Sequence, residues 1–264
     1  DNAIGIVDIR RGRVERYIKL RAPNPGALAY EEGKLFVING IMYGNGNLIG
    51  EIIEPLNNFV STPIELLGVV FGSSLAVRNG KAYLSTLVGK ANDRAFFSFD
   101  LKTKEITKIF DDIYFTSVVF DNEGRGYGLI PKGRYIGIEV GIDQVIVFDP
   151  DKKEMLKTIE LKEQSSRAHR LFFSDNKLYI TFFEDSRGGE TIGILDLETE
   201  DMRTINGFRG PYCVISINGK IYVANHNDKT IDLVDENTGE KLSTVKVGLW
   251  PWALIYIKGN GGQP

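Results

Sequence analysis

The chain has 264 residues, 42% hydrophobic and 25% charged, with a formal net charge of −3. That is an ordinary globular composition; the charge gives no basic coat for nucleic acid, and no apolar run approaches the roughly 18 residues of a membrane span. One cysteine, Cys213, excludes an internal disulfide and argues against a cysteine zinc site, and two histidines, His169 and His226, leave little for a histidine cluster.

The first elements are AIGIVDI (3–9) and RVERYIKL (13–20), short apolar-rich runs that read as strands. A triplet then recurs along the chain. PGALAYEE, the pair Glu32-Gly33 and KLFVING lead to LIGEIIE, ending on Glu54. GSSLAVRN, Asn79-Gly80 and KAYLSTL lead to AFFSFD, ending on Asp100. FTSVVFDN, Glu123-Gly124 and RGYGLIP lead to VIVFD, ending on Asp149. AHRLFFSD, Asp175-Asn176 and KLYITFF lead to TIGILD, ending on Asp196. PYCVISIN, Asn218-Gly219 and KIYVANH lead to TIDLVD, ending on Asp235. PWALIYIK and Gly259-Asn260 start a sixth copy, and IGIVD at the other end, closing on Asp8, is its third strand.

Gly- and Asn-bearing pairs supply the positive φ of a type I′ hairpin turn. The acidic markers are 39 to 49 residues apart, and each is followed by a polar turn such as LKTKE or ENTGE and a fourth strand. Four strands per unit of about 40–45 residues is the sequence signature of a propeller blade. The expected fold is all-β: one six-bladed β-propeller domain over 1–264, of four-stranded antiparallel blades, its closing blade built from both chain ends (252–258 with 3–20). Two joined ends hide the raw edges of the ring. The closing blade lacks a second strand of the KIYVAN type in this sequence. Further chain is the first expected source, and donation by a neighbouring subunit, which would make a polymer, is the second.

The repeat alignment also selects candidate site residues. One column of the first strands reads Ala27, Ser74, Ser117, Arg170, Cys213, Ala253, expected to line the channel mouth with a single arginine. Arg170 is either a structural donor to loop carbonyls or an anchor for a carboxylate or phosphate. His169, Arg167 and Arg209 fall in the same class of loop, with Tyr114, Tyr212, Trp250 and Trp252 as aromatic partners. His226 reads as exposed and structural, Cys213 as buried and inert. The inserts 40–47, 64–72 and 131–141 are expected on the same face. Glu31, Arg78 and Asp121 share a further column and read as an ion-pair chain between blades rather than a metal site. The acidic markers read as turn caps. No triad or G-x-S-x-G elbow, no EF-hand spacing and no Asn-x-Ser/Thr sequon occurs, so no catalytic residue, metal or cofactor is assigned. Scarce Gln, Cys and Met point to a thermophilic source.

The last full unit, with Tyr222-Val223-Ala224-Asn225, Thr230-Ile231-Asp232-Leu233-Val234-Asp235, Gly248, Pro251 and Trp252, resembles the YVTN β-propeller repeat of prokaryotic surface-layer and other extracellular proteins. The resemblance implies an extracellular or cell-surface binding and scaffold module. Its partner would be a protein or a small anionic or carbohydrate ligand at the channel mouth. Two other expectations stand beside it: a lactonase- or lyase-like enzyme in which Arg170 and His169 bind and polarise the substrate, and a polymer subunit that self-assembles through the incomplete blade.

Overall fold

A computed structural model describes residues 3–8, 11–21, 25–39, 48–55, 59–66, 71–88, 93–135, 138–162, 164, 166–183, 189–248 and 251–256. Among these residues every regular element is a strand. β1 (Ala3–Asp8) and β2 (Arg13–Lys19) form a two-stranded antiparallel sheet. The first complete blade is β3 (Pro25–Glu31), β4 (Lys34–Asn39), β5 (Leu48–Glu54) and β6 (Val60–Leu66). The second is β7 (Phe71–Arg78), β8 (Lys81–Val88), β9 (Asp93–Asp100) and β10 (Ile106–Asp111). The third is β11 (Ser117–Phe120), β12 (Gly126–Ile130), β15 (Gln144–Asp149) and β16 (Glu154–Glu160), with the hairpin β13 (Gly133–Tyr135) and β14 (Ile138–Val140) between its second and third strands. The fourth is β17 (Ala168–Ser174), β18 (Lys177–Phe182), β19 (Thr191–Asp196) and β20 (Met202–Asn206). The fifth is β21 (Pro211–Ile217), β22 (Lys220–Asn225), β23 (Thr230–Asp235) and β24 (Lys241–Lys246).

The first strands of successive blades, β3, β7, β11, β17 and β21, neighbour one another and form the inner wall. Five four-stranded antiparallel blades thus stand in a propeller arrangement, with the β1–β2 sheet beside them. The hydrophobic core lies between blades. Phe36 and Ile38 meet Leu75 and Leu84; Tyr83, Phe96 and Phe110 meet Phe115 and Phe148. Leu129 and Val145 meet Leu171, Leu178 and Ile180, and Tyr179 and Ile194 meet Val214 and Val223. A fifth cluster joins Leu35, Val37 and Ile53 to Leu20, Ile4, Ile18 and Ile255. Each blade buries its faces only against neighbours, and a fully buried Leu or Phe is worth about 1.5–3 kcal/mol.

Four of the expected turns have paired positive φ: Glu32-Gly33, Asn79-Gly80, Asp175-Asn176 and Asn218-Gly219. Glu123-Gly124 does not. The loop there is wider, running from Phe120 to its cross-strand partner Gly126, and Asp121 organises it by accepting from the Glu123 and Arg125 amides at 2.9 Å. The five aspartates among the acidic markers cap turns as expected. Asp100, Asp149, Asp196 and Asp235 each accept from two backbone N–H groups two and three residues on, and Asp8 accepts from the Arg11 amide at 3.0 Å.

The chain Glu31–Arg78–Asp121 is not formed as expected. The Glu31 carboxylate accepts from the Asn79 and Gly80 amides of the next blade, at 2.6 and 3.1 Å. Arg78 lies against Gly124 and over the Phe120 ring, while Asp121 pairs with Arg125 at 2.7 Å. Glu31 and Asp121 thus accept from hairpin-turn amides, and Arg78 lies against the turn at Gly124. The insert expected over 64–72 is largely strand: 64–66 end β6 and 71–72 begin β7. Residues 40–47 lie outside the described residues, as does the Gly259-Asn260 turn. Residues 251–256 are described but form no strand; among the described residues no second strand lies beside them to complete a ladder.

Candidate functional site

Antiparallel pairing puts the starts of first strands and the ends of second strands on one face of the propeller. Two repeat columns deliver aromatic rings there. His169, Tyr212 and Trp252 hold the same place in successive first-strand segments, and Phe183 and His226 follow the second strands β18 and β22 at one shared offset. The five rings pack together. Tyr212 is the hub, with centroids 4.2 Å from His169, 5.1 Å from Phe183, 4.8 Å from Trp252 and 5.6 Å from His226. His169 reaches Phe183 at 5.4 Å, and His226 lies 5.7 Å from Phe183 and 5.6 Å from Trp252. The tilted and edge-on geometries suit ring quadrupoles. Tyr212 is buried, whereas Trp252 keeps 43% of its surface exposed.

Arg170 borders this cluster. Its guanidinium lies 5.8 Å from the Tyr212 ring centre, and Nη1 donates to the Thr116 carbonyl at 2.9 Å, so it bridges the third, fourth and fifth blades. That is the carbonyl-binding role, and it aims the cation at the aromatic face. The mouth column is otherwise tight: Ala27, Ser74 and Ser117 are buried, and the Ser117 hydroxyl accepts from the Leu171 amide at 3.0 Å. Cys213 is half-buried, its Sγ accepting from the Leu254 amide at 3.3 Å. Burial pushes its thiol up, against a smaller opposing effect of Arg170, which fits an inert residue.

Burial, with Arg170, Arg167 and His226 nearby, holds the His169 imidazole well below its usual value, so it is neutral near pH 7. Its Nε2 is buried without a hydrogen-bond partner. A catalytic base is ordinarily oriented by an acid, and the groups acting on this ring include no carboxylate.

The other candidates separate. Arg167 offers its carbonyl to the Phe183 amide at 3.0 Å and acts on the cluster through its charge. Arg209 is exposed and its side chain pairs with Asp228 at 3.6 Å, while its carbonyl accepts from the Asn227 amide at 3.3 Å. Tyr114 lines a different cavity of about 40 Å³ between the second and third blades, with Arg94, Ile113, Ile130, Pro131 and Val140. Trp250 lies outside the described residues. His226, expected to be exposed, is half-buried and joins the rings, and Phe183 was not expected at all; their shared offset in adjacent repeats is the signal that finds both. Among the described residues no group of three or more His, Cys, Asp or Glu is placed to hold a metal ion, and no helix is long and apolar enough to cross a membrane.

No family model and no curated protein matches the chain. Solved structures do. The chain is similar to a chain of the nidogen/laminin complex at 11% identity and TM-score 0.74, covering 96% of this chain and 94% of that one. It is similar to Kuenenia stuttgartiensis hydrazine synthase at 13% identity and TM-score 0.65, covering 96% and 82%. A protein of unknown function from Bacteroides caccae matches at 13% identity and TM-score 0.62, covering 92% and 89%. At these identities the likeness establishes the fold alone, and that fold is the β-propeller.

Proposed function

We propose that this chain is a six-bladed propeller of the YVTN-repeat type that serves as a non-enzymatic binding module outside the cell, taking a small anionic or carbohydrate ligand on its aromatic face. The observation that carries it is the five-ring cluster with Trp252 exposed and Arg170 held beside it. An exposed indole stacks on the C–H face of a sugar ring, and a fixed guanidinium recognises a carboxylate or phosphate. Six blades follow if β1–β2 and 251–256 belong to one closing blade. In support, Ile255 packs against the same buried cluster as Ile4 and Ile18, and the Leu254 amide binds Cys213 of the fifth blade.

Calorimetric titration with neutral and uronate oligosaccharides tests this. Saturable binding should fall at least tenfold in Trp252→Ala while the protein keeps a cooperative unfolding transition. Arg170→Gln should remove the preference for the uronate. Absence of binding across the panel refutes the ligand class. Turnover of a lactone that is lost in a folded Arg170→Ala protein replaces the binding reading by the enzymatic one.

A further inference from the structure

We propose that Asn218 is a site of self-modification: in the folded protein its side chain cyclises with the Gly219 amide and opens to aspartate and isoaspartate, while Asn79, on a turn of the same shape, is protected by Glu31.

The two turns are closely matched. Asn79-Gly80 joins β7 to β8, Asn218-Gly219 joins β21 to β22, and both pairs are exposed. Their φ values are 51° and 70° in the first turn and 52° and 71° in the second. The glycine carbonyl is held alike in each: Gly80 accepts from the Leu101 amide and Gly219 from the Glu236 amide, both at 3.0 Å. Lysine follows both glycines. The difference comes from the preceding blade. Glu31, at the end of β3, accepts from the Asn79 and Gly80 amides at 2.6 and 3.1 Å. The same place in β17 is Ser174, whose hydroxyl donates instead to Asp175 at 3.0 Å. Among the described residues no carboxylate holds the Asn218 or Gly219 amide. A third pair, Asn206-Gly207, is held at both reacting groups. Its asparagine Oδ1 accepts from the Thr191 hydroxyl at 2.7 Å, and its glycine amide donates to the Glu190 carbonyl at 3.0 Å.

The chemistry needs only water. Hydroxide takes the Gly219 amide proton, the nitrogen bonds to Cγ of Asn218, and the side-chain nitrogen leaves as ammonia. Glycine puts no side chain in the path of this attack. Water then breaks one of the two imide C–N bonds. Breaking the new one leaves aspartate; breaking the old peptide bond leaves isoaspartate, with the chain running through the side chain. A carboxylate bound to the same amide opposes both the loss of its proton and the opening of the turn. Isoaspartate lengthens the β21–β22 turn by one backbone atom, beside the carbonyl that anchors Glu236. That residue joins the fourth and fifth blades: its carboxylate takes Lys177 at 2.7 Å and Ser216 at 3.1 Å, and its carbonyl accepts from Arg203. The modification therefore loosens this junction.

The test is incubation of the folded 264-residue protein in heavy-oxygen water at mildly alkaline pH, with peptide mapping by mass spectrometry. Asn218 should take up the label about tenfold or more faster than Asn79 or Asn206. Unfolded in urea, Asn79 and Asn218 should react alike. Glu31→Ala should bring Asn79 up towards the Asn218 rate and leave Asn218 unchanged; where that protein loses its cooperative unfolding transition, Glu31→Gln gives the same comparison. Equal rates in the folded parent, an Asn218 that reacts only in urea, or an Asn79 that stays slow in both Glu31 variants overturns the proposal. The aged protein should also unfold at a lower urea midpoint than fresh Asn218→Asp, which carries the charge without the extra backbone atom. Equal midpoints overturn the loosening of the blade junction.

Discussion

Gly126→Ala is the sharpest packing test. A Cβ at Gly126 would lie 2.2 Å from Cζ of Phe148, the residue opposite it across the β12–β15 ladder. The Phe148 ring is fully buried and boxed in. Phe96 stands edge-on at 5.3 Å, Phe110 edge-on at 5.6 Å and Phe115 stacks at 5.5 Å. Other blades put Leu35, Ala82, Leu178 or Ile221 where the third has Gly126, so this blade has moved volume from its second strand to the facing ring. The ring must shift by more than 1 Å to clear the new methyl, and overpacking of a fixed core costs about 1–3 kcal/mol. Reduced unfolded-state freedom offsets about 0.4–1 kcal/mol, leaving a net loss of about 1–2 kcal/mol. Phe148→Leu alone costs about 1–2 kcal/mol for the vacated space. In the double variant the methyl occupies that space, so the two losses should fall short of additive by about 1 kcal/mol. Urea unfolding of the four proteins measures this through midpoints at constant m-value. A Gly126→Ala protein as stable as the parent, or strict additivity, refutes the packing described for the second and third blades.

Turn-cap chemistry predicts an acid limb. Backbone N–H donors hold Asp100, Asp149, Asp196 and Asp235 below the usual carboxylate range. Their contribution is therefore complete above the unfolded value of about 3.9 and is lost as pH falls through the lower folded values; Asp196→Asn should flatten the fall of the urea midpoint there, and an unchanged slope contradicts the assignment. His169 predicts a limb at higher pH. Its folded value is depressed, so the unfolded chain takes up the proton first, and stability declines as pH drops below about 6.5 towards the folded value. His169→Phe should remove that decline while keeping the ring contacts, and a persistent decline shows that another group is responsible.

Much of the site was legible once the repeats were aligned. Arg170 stood out as one charged residue in a column of small ones, and the structure gives it the Thr116 carbonyl and the Tyr212 face. His169, Tyr212 and Trp252 could be named because they share a loop class. Arg209 and Tyr114 share it too, yet the Arg209 side chain pairs with Asp228 and Tyr114 lines another cavity, because loop class does not give the direction a side chain takes. His226 was assigned to solvent and instead completes the ring cluster.

By itself the sequence determined the strand repeat, four of the tight turns and the acidic turn caps. These are local matters: period-two patterning, positive φ at Asn and Gly, and carboxylates reaching amides two or three residues away. Only the tertiary structure decided which side chains meet across blades. Glu31 takes the amides of the next hairpin rather than Arg78, Phe148 and Phe115 fill the space above Gly126 and Gly128, and five rings from three stretches of chain form one surface. Such contacts depend on how neighbouring twisted sheets approach one another, which no single repeat encodes.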